Sequence, residues 1–434
     1  MDRDAFLSYV YLLKWMLLSI IAGIVGTLTV QSFIFLSTGI TSFISAVRLP
    51  LWIWPIIGAG IAGGIIYRIQ PHAAGEGIPS YIRGIRIHEG NLLFSVTFFK
   101  YWAALVTIAT FGNGGIVGPI GRVSAGIMAF IVPYMKKIHV GFTSHDQRTA
   151  AICGLAATIG AVFHSSIGGG IFAVEIIQRK SMGYKDLFPA ILSSSTAVFV
   201  GKSLGWGGFY HFDTIDKFMD SHMIGWLLLF TILIGVCGGF YTELYSLASR
   251  RFKRKEGNVL LKVTIGSALA FIIAWTVNSE LLGISKKMVP ALISGNMSFM
   301  IGNLPFAQPM GLILLIMFFC KIVCNCITVG SGMSAGFTGP AVIAGMLLGA
   351  AAASFLNIAY ATPTYYAFLA AGFSGMLASS MNVPLAAAVM TTEVFGLHYS
   401  LPAACAAVIG FQVMRHHTIY EYALDEFDET IKDR

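Results

Sequence analysis

Charge is what this sequence has least of. Asp, Glu, Lys and Arg together make up 11% of its 434 residues, where a soluble domain carries about 25%. A soluble chain of this length would lack the charge to cover its surface. Mean hydropathy is +0.76, and the 56% of residues that are hydrophobic are spread along the whole length. This composition excludes a soluble globular protein and implies one membrane-embedded body. A cleavable leader is also missing: Met1–Phe6 is charged, and the first apolar run, near 12–43, is too long for a signal peptide. It reads as an anchor that stays in the protein. The six cysteines, Cys153, Cys237, Cys320, Cys324, Cys326 and Cys405, all fall in apolar stretches. Cys320, Cys324 and Cys326 match no zinc spacing and have no histidine close in sequence, so the thiols read as small apolar packing groups. No metal and no cofactor is expected.

The formal net charge of +8 does not point to nucleic acid, because the bases sit in short loops between apolar runs. Arg250, Arg251, Lys253, Arg254 and Lys255 form one cluster; Arg179, Lys180 and Lys185 form another. Both are expected on the cytoplasmic side.

Glycine is abundant, at 48 residues, as in membrane helices that pack closely or break midway. Apolar segments are interrupted at Gly75–Pro79, Gly112–Pro119, Gly330–Pro340 and Asn382–Pro384. Unpaired backbone groups are tolerated at membrane depth only inside protein or beside a watery cavity, so these breaks imply a transporter or channel. The chain also repeats itself. Residues 154–175, GLAATIGAVFHSSIGGGIFAVE, align without gap at an offset of 218 (393 − 175) with residues 372–393, GFSGMLASSMNVPLAAAVMTTE. Each copy opens on Gly and closes on Glu (Glu175, Glu393), and each follows a Gly-x-x-Gly-Pro turn. This implies a first half at 1–210, a second at 211–416 and a short C-terminal helix and tail at 417–434. The copies have opposite orientation if an odd number of helices precedes the second, a count that sequence leaves open.

An anion that leaves water needs other donors. Helix N-termini supply free N–H groups and about half a positive charge without the tight hold of a full cation, and broken helices can aim several of them at one point. Three segments have this form: Gly75-Glu76-Gly77-Ile78-Pro79, Gly115-Ile116-Val117-Gly118-Pro119 and Gly336-Phe337-Thr338-Gly339-Pro340. Proline near a helix start costs no hydrogen bond. The hydroxyl of Tyr420 is a fourth candidate donor. The expected anion-binding set is Glu76, Gly77, Ile78, Val117, Gly118, Phe337, Thr338 and Tyr420.

With these motifs in order, the chain resembles the CLC family of chloride channels and chloride/proton antiporters over nearly its full length. The family pattern G-S-G-I-P is similar to Gly75–Pro79, G-[K/R]-E-G-P to Gly115–Pro119, and G-x-F-x-P to Gly336–Pro340, with the aromatic one place early; the tyrosine of the last helix matches Tyr420 in His417-Thr418-Ile419-Tyr420. The resemblance implies an all-α integral membrane fold with inverted repeats and about seventeen uneven, partly re-entrant helices. It also implies a homodimer with one anion pathway per subunit and cytoplasmic termini. The short chain suggests a bacterial inner membrane.

The departures are at the functional positions. Val117 stands where the family has its external gating glutamate, Ile116 at the Lys/Arg before it, and Ile176 at the internal proton glutamate. Glu76 replaces the central serine. An ionised carboxylate about 4 Å from a bound anion costs roughly 4 kcal/mol at an effective dielectric of about 20, which would empty the site. Three readings stay open: Glu76 is protonated when the anion binds, it occupies the site itself and leaves on protonation, or it turns away to pair with Arg83 or Arg86. Among lesser candidates, Arg122 is expected to pair or to snorkel, with contact to the pathway as the alternative. Repeat-equivalent His164 and Asn382 read as caps or helix–helix hydrogen bonders. Lys321 needs a partner or a watery cavity, an internal vestibule being the expectation. Gly332-Met333-Ser334-Ala335-Gly336 fits a nucleophile elbow, but that motif needs a strand-to-helix turn, a histidine and an acid, so no enzyme is expected. The sequence thus implies transport of small inorganic anions, chloride by default, channel-like because both family glutamates are absent. The alternatives are a proton-coupled exchanger with Glu76 as relocated gate, a carrier of fluoride or bicarbonate, and a non-transporting membrane scaffold.

Overall fold

The computed structural model describes residues 3–137, 145–177, 184–210, 215–254, 259–296, 301, 309–415 and 418–422. Among them the chain is helical, with no strand and one isolated β-bridge. In order come α1 (Arg3–Ala46), α2 (Ile53–Gly64), α3 (Ile78–Ile87), α4 (Phe94–Ala109), α5 (Val117–Lys137), α6 (His145–Phe163), α7 (Ser166–Glu175) and α8 (Tyr184–Ser203). They are followed by α9 (Ile224–Arg254), α10 (Val259–Val277), α11 (Met288–Ser294), α12 (Met310–Gly330), α13 (Thr338–Phe355), α14 (Pro363–Met381), α15 (Pro384–Phe395) and α16 (Ser400–Met414). Residues 419–422 form a further helical turn, α17.

The helices are as uneven as expected, from 44 residues in α1 through 10 in α3 and in α7 to 7 in α11 and a single turn in α17. Seven are long and apolar enough to cross a membrane. The outer face of α1 shows Leu13, Leu17, Ile24, Leu28 and Phe35 to the surroundings, a face that suits lipid and not water. The centre is different. α13 and α14 are apolar and buried on nearly every side, as helices in the middle of a membrane bundle are. They cross at Gly345 and Gly372, where a Cβ on either glycine would strike the carbonyl of the other, so small residues set the approach.

The glycine and proline breaks fix where short helices begin. Gly75 and Gly77 both take positive φ, 68° and 114°, just before α3, a conformation that only glycine adopts freely. His164 and Asn382, with φ of 53° and 60°, turn the chain before α7 and α15. These two helices pack antiparallel, each capped by the other's last glutamate. Glu175 accepts from the N–H groups of Leu385 (3.0 Å) and Ala386 (2.7 Å). Glu393 accepts from Ile167 (3.0 Å) and Gly168 (2.9 Å), and from the Ser165 hydroxyl. All four donors are orphans of a helix start, and the carboxylates also sit favourably on the positive helix ends. The partners correspond at the offset of 218 (385 − 167 = 386 − 168 = 393 − 175). The two caps are thus reciprocal, each made at the same positions of its own helix pair.

Buried acids elsewhere are matched by bases: Lys14 with Asp146 at 2.5 Å, and Arg148 with Asp186. Of the basic loop clusters, Arg179, Lys180, Lys255 and the side chains of Lys253 and Arg254 lie outside the described residues. So does the short C-terminal helix and tail expected at 417–434, except for residues 418–422.

Candidate anion site

The two Gly-x-x-Gly-Pro turns interlock at the centre. Gly115 and Gly336 exchange both N–H···O bonds at 2.8 Å, forming the isolated antiparallel bridge. This close approach sets the starts of α5 and α13 side by side. Asn325 of α12 holds the pair from behind, donating to the carbonyls of Asn113 (3.0 Å) and Gly336 (3.2 Å). Tyr241 of α9 donates its hydroxyl to Asn325. Asn113 in turn donates to the Leu281 carbonyl at 2.8 Å.

Onto this junction comes the turn that starts α3. Gly77 packs on the backbone of Gly118, where a Cβ would lie 2.7 Å from the Gly118 carbonyl oxygen. Glu76 is 3% exposed, and its carboxylate turns inward. Oε2 accepts from the Ile78 N–H at 2.6 Å, the Phe337 N–H lies close to the carboxylate, and the Tyr420 hydroxyl reaches Oε1 at 3.5 Å. Of the three orientations open from sequence, this is the one in which the side chain sits among the donors. The pairing with arginine is not formed by Arg86, whose guanidinium donates to the Ile177 carbonyl.

Six of the eight expected residues therefore meet around one carboxylate or directly against it: Glu76, Gly77, Ile78, Gly118, Phe337 and Tyr420. Thr338 joins through Tyr420, its Oγ1 lying 3.4 Å from the hydroxyl. Val117 is buried in the main apolar cluster at the head of α5, and none of the described hydrogen bonds joins it to Glu76. Ile176, the other substituted family position, is in the same cluster. Tyr420 is held in place by a capping box: Thr418 Oγ1 accepts from the Glu421 N–H at 3.2 Å, and Glu421 accepts from the Thr418 N–H at 3.0 Å. The Thr-x-x-Glu spacing that announces this box stands in the sequence beside the tyrosine.

A residue not picked out from sequence completes the junction. Lys100 of α4 is 1% exposed and donates to three successive carbonyls, Ala73 (3.1 Å), Ala74 (3.0 Å) and Gly75 (2.5 Å). It gathers the chain just before Glu76 and places its positive charge near the carboxylate. Lys321 of α12 does the same before α11. It is fully buried and donates to Leu281 O (3.1 Å), Gly283 O (3.3 Å) and Ser285 Oγ (2.7 Å). The two lysines are 221 residues apart, as are Gly115 and Gly336 (321 − 100 = 336 − 115). Lys321 thus closes a turn inside the protein and does not line the vestibule expected for it. Ser334, the centre of the elbow-like motif, lies in the non-helical link between α12 and α13, with no strand before it.

Gly118 gives a direct test of the crowding. A Cβ there would overlap the Glu76 carboxylate. Gly118→Ala is expected to displace the side chain and to crowd any ion that takes its place, lowering anion flux in proteoliposomes several-fold at every pH. Unchanged flux would mean that ions do not pass this point.

A polytopic helical body with broken helices meeting at a buried, donor-lined junction is an integral membrane protein of the transport type. A family model described as "Voltage gated chloride channel" matches residues 58–415, and the chain belongs to that family. It is 24% identical to an uncharacterized protein of Methanocaldococcus jannaschii over 96% of this chain and 98% of that one. It is 22% identical to a chloride/fluoride channel protein of Pseudomonas syringae pv. tomato over 94% and 86%. Its fold matches the crystal structure of a CLC-type fluoride/proton antiporter with a TM-score of 0.77 at 20% identity, covering 97% of this chain and 99% of that one. The all-α CLC-type architecture expected from the sequence is the one found.

Proposed function

We propose that the chain carries small inorganic anions across a bilayer through the junction of α3, α5, α13 and α17, with Glu76 as the group that competes with the ion. One observation carries this reading. The donors an anion would use, the N–H groups of Ile78 and Phe337 and the Tyr420 hydroxyl, already surround a carboxylate, that of Glu76, which accepts from Ile78 and Tyr420. An ion takes that place when the carboxylate is protonated and swings out. Glu76 then supplies, from α3, the gate that Val117 cannot supply from α5. The absence of acids at Val117 and Ile176 favours conduction over strict exchange. The need for Glu76 to take a proton before it yields is the feature that favours proton-coupled exchange as a second reading. Chloride is the default ion. Fluoride is the first competitor, in keeping with the chloride/fluoride channel relative.

Purified protein in liposomes decides between these readings. Protein-dependent chloride efflux is expected, faster at acidic than at alkaline pH. No efflux of chloride, fluoride or bicarbonate under any gradient would leave the scaffold reading standing. Proton movement in fixed ratio to the anion would convert the conductance into an exchanger. The duplication at 1–210 and 211–416 and the homodimer belong to the same reading. Apolar side chains on α7, α8, α15 and α16, among them Ile167, Phe199, Leu385 and Leu401, are exposed where a second copy would pack.

A further inference from the structure

Arg122 was expected to pair or to snorkel, and it does neither among the described residues. It is 3% exposed. Its Nη1 donates to Thr97 Oγ1 at 3.1 Å, a hydroxyl whose own proton goes to the Leu93 carbonyl at 3.2 Å. Its Nε has no acceptor among the described residues, and none of the described ion pairs includes it. Gly126 makes room for the bond to Thr97, since a Cβ there would overlap Thr97 Oγ1 and lie 2.7 Å from Nη1.

The nearest charges make the position stranger. Arg122 and Lys100 act on each other as like charges, and Thr97 and Lys100 are one turn apart on α4. The three N–H donors of Lys100 are all taken by carbonyls, and its counter-charge is Glu76. The buried cluster therefore sets two basic groups, Lys100 and Arg122, against the single acid Glu76. A guanidinium stays charged and cannot shed its proton to relieve this, and a buried charge demands a partner.

We propose that Arg122 holds a second anion, a small halide, at its Nε edge, in a site distinct from the junction at Glu76. With Nη1 turned to Thr97, the Nε N–H is the donor left without an acceptor for the ion to take. The site remains filled while the Glu76 carboxylate occupies the junction, because Glu76 is already the partner of Lys100. Arg122 lies four residues after Gly118 on the same helix, roughly 6 Å along its axis. The two ions therefore repel across low-dielectric protein, and the second speeds the exit of the first. The inference rests on the proposed function only for the class of ion.

Crystals of the full chain grown in bromide test it by anomalous diffraction. The expected result is a bromide peak at Arg122 Nε in the native protein. It persists in Glu76→Gln, where a second peak enters between Ile78, Phe337 and Tyr420, and it is lost in Arg122→Gln. No peak at Arg122 in the native protein, or one that survives Arg122→Gln, overturns the proposal. If Arg122→Gln does not fold, Arg122→Lys replaces it; there the peak is expected at reduced occupancy, and full occupancy counts against the proposal. A Glu76→Gln protein with no junction peak but an intact Arg122 peak refutes the Glu76 reading alone.

Discussion

Anion flux through Glu76→Gln is expected to be insensitive to pH and at least tenfold faster at neutral pH than flux through the native chain. The native carboxylate sits on the Ile78 amide, close to the Phe337 amide and beside the Tyr420 hydroxyl. While ionised there, it excludes an anion both by volume and by charge. The charge alone is worth roughly 4 kcal/mol at about 4 Å and an effective dielectric of about 20, nearly a thousandfold in occupancy. Glutamine keeps the shape and removes the charge, so its hold on three donors weakens and no proton is needed to release it. Native flux should rise as pH falls, because acid protonates the competitor, and the variant should run flat. Flux measured from pH 4 to pH 8 in matched liposomes settles it. Superimposable profiles for the two proteins would remove Glu76 from the gate.

The second large effect is on stability. Lys100→Met leaves the carbonyls of Ala73, Ala74 and Gly75 without their donor. A buried acceptor stripped of its partner costs about 1–3 kcal/mol, so three of them should cost about 3 kcal/mol or more, a fall in thermal midpoint of roughly 5 °C in detergent. Lys321→Met should lose a comparable amount, since it strips Leu281, Gly283 and Ser285. The two variants part company in transport. Only Lys100 has the Glu76 carboxylate for a neighbour, so only Lys100→Met should move the onset of flux, and it should move it to higher pH. A proton competes with Lys100 for that carboxylate, and without the lysine it wins sooner. Equal flux profiles for the two lysine variants would break the link between Lys100 and the gate.

The sequence carried the fold because its signals were local. The breaks at Gly75–Pro79, Gly115–Pro119 and Gly336–Pro340 mark helix starts by backbone chemistry alone, and the offset of 218 between Glu175 and Glu393 needs no coordinates. The orientation of Glu76 was not legible. It depends on Gly77 packing against Gly118, a contact between turns about forty residues apart, and on Phe337 and Tyr420 arriving from the other end of the chain. Lys100 was legible and went unread, since the spacing of 221 that relates the two Gly-x-x-Gly-Pro turns also relates it to Lys321, which stood out in its apolar run. Asn325 and Tyr241 gave no such sign. A polar residue in an apolar helix announces that it needs a partner, not which turn it will hold. The surroundings of Arg122 were not legible either, because its bond to Thr97 joins two helices whose packing no local signal announces.

The crossed glutamates of α7 and α15 bear on how such a chain can arise. Glu175 closes a helix in the later copy and Glu393 closes one in the earlier, so neither copy is chemically complete by itself. If the two halves descend from one unit, that unit would find the amides for its acid on a second copy facing the other way, and a pair, tethered or not, would be the smallest object with those helix ends satisfied.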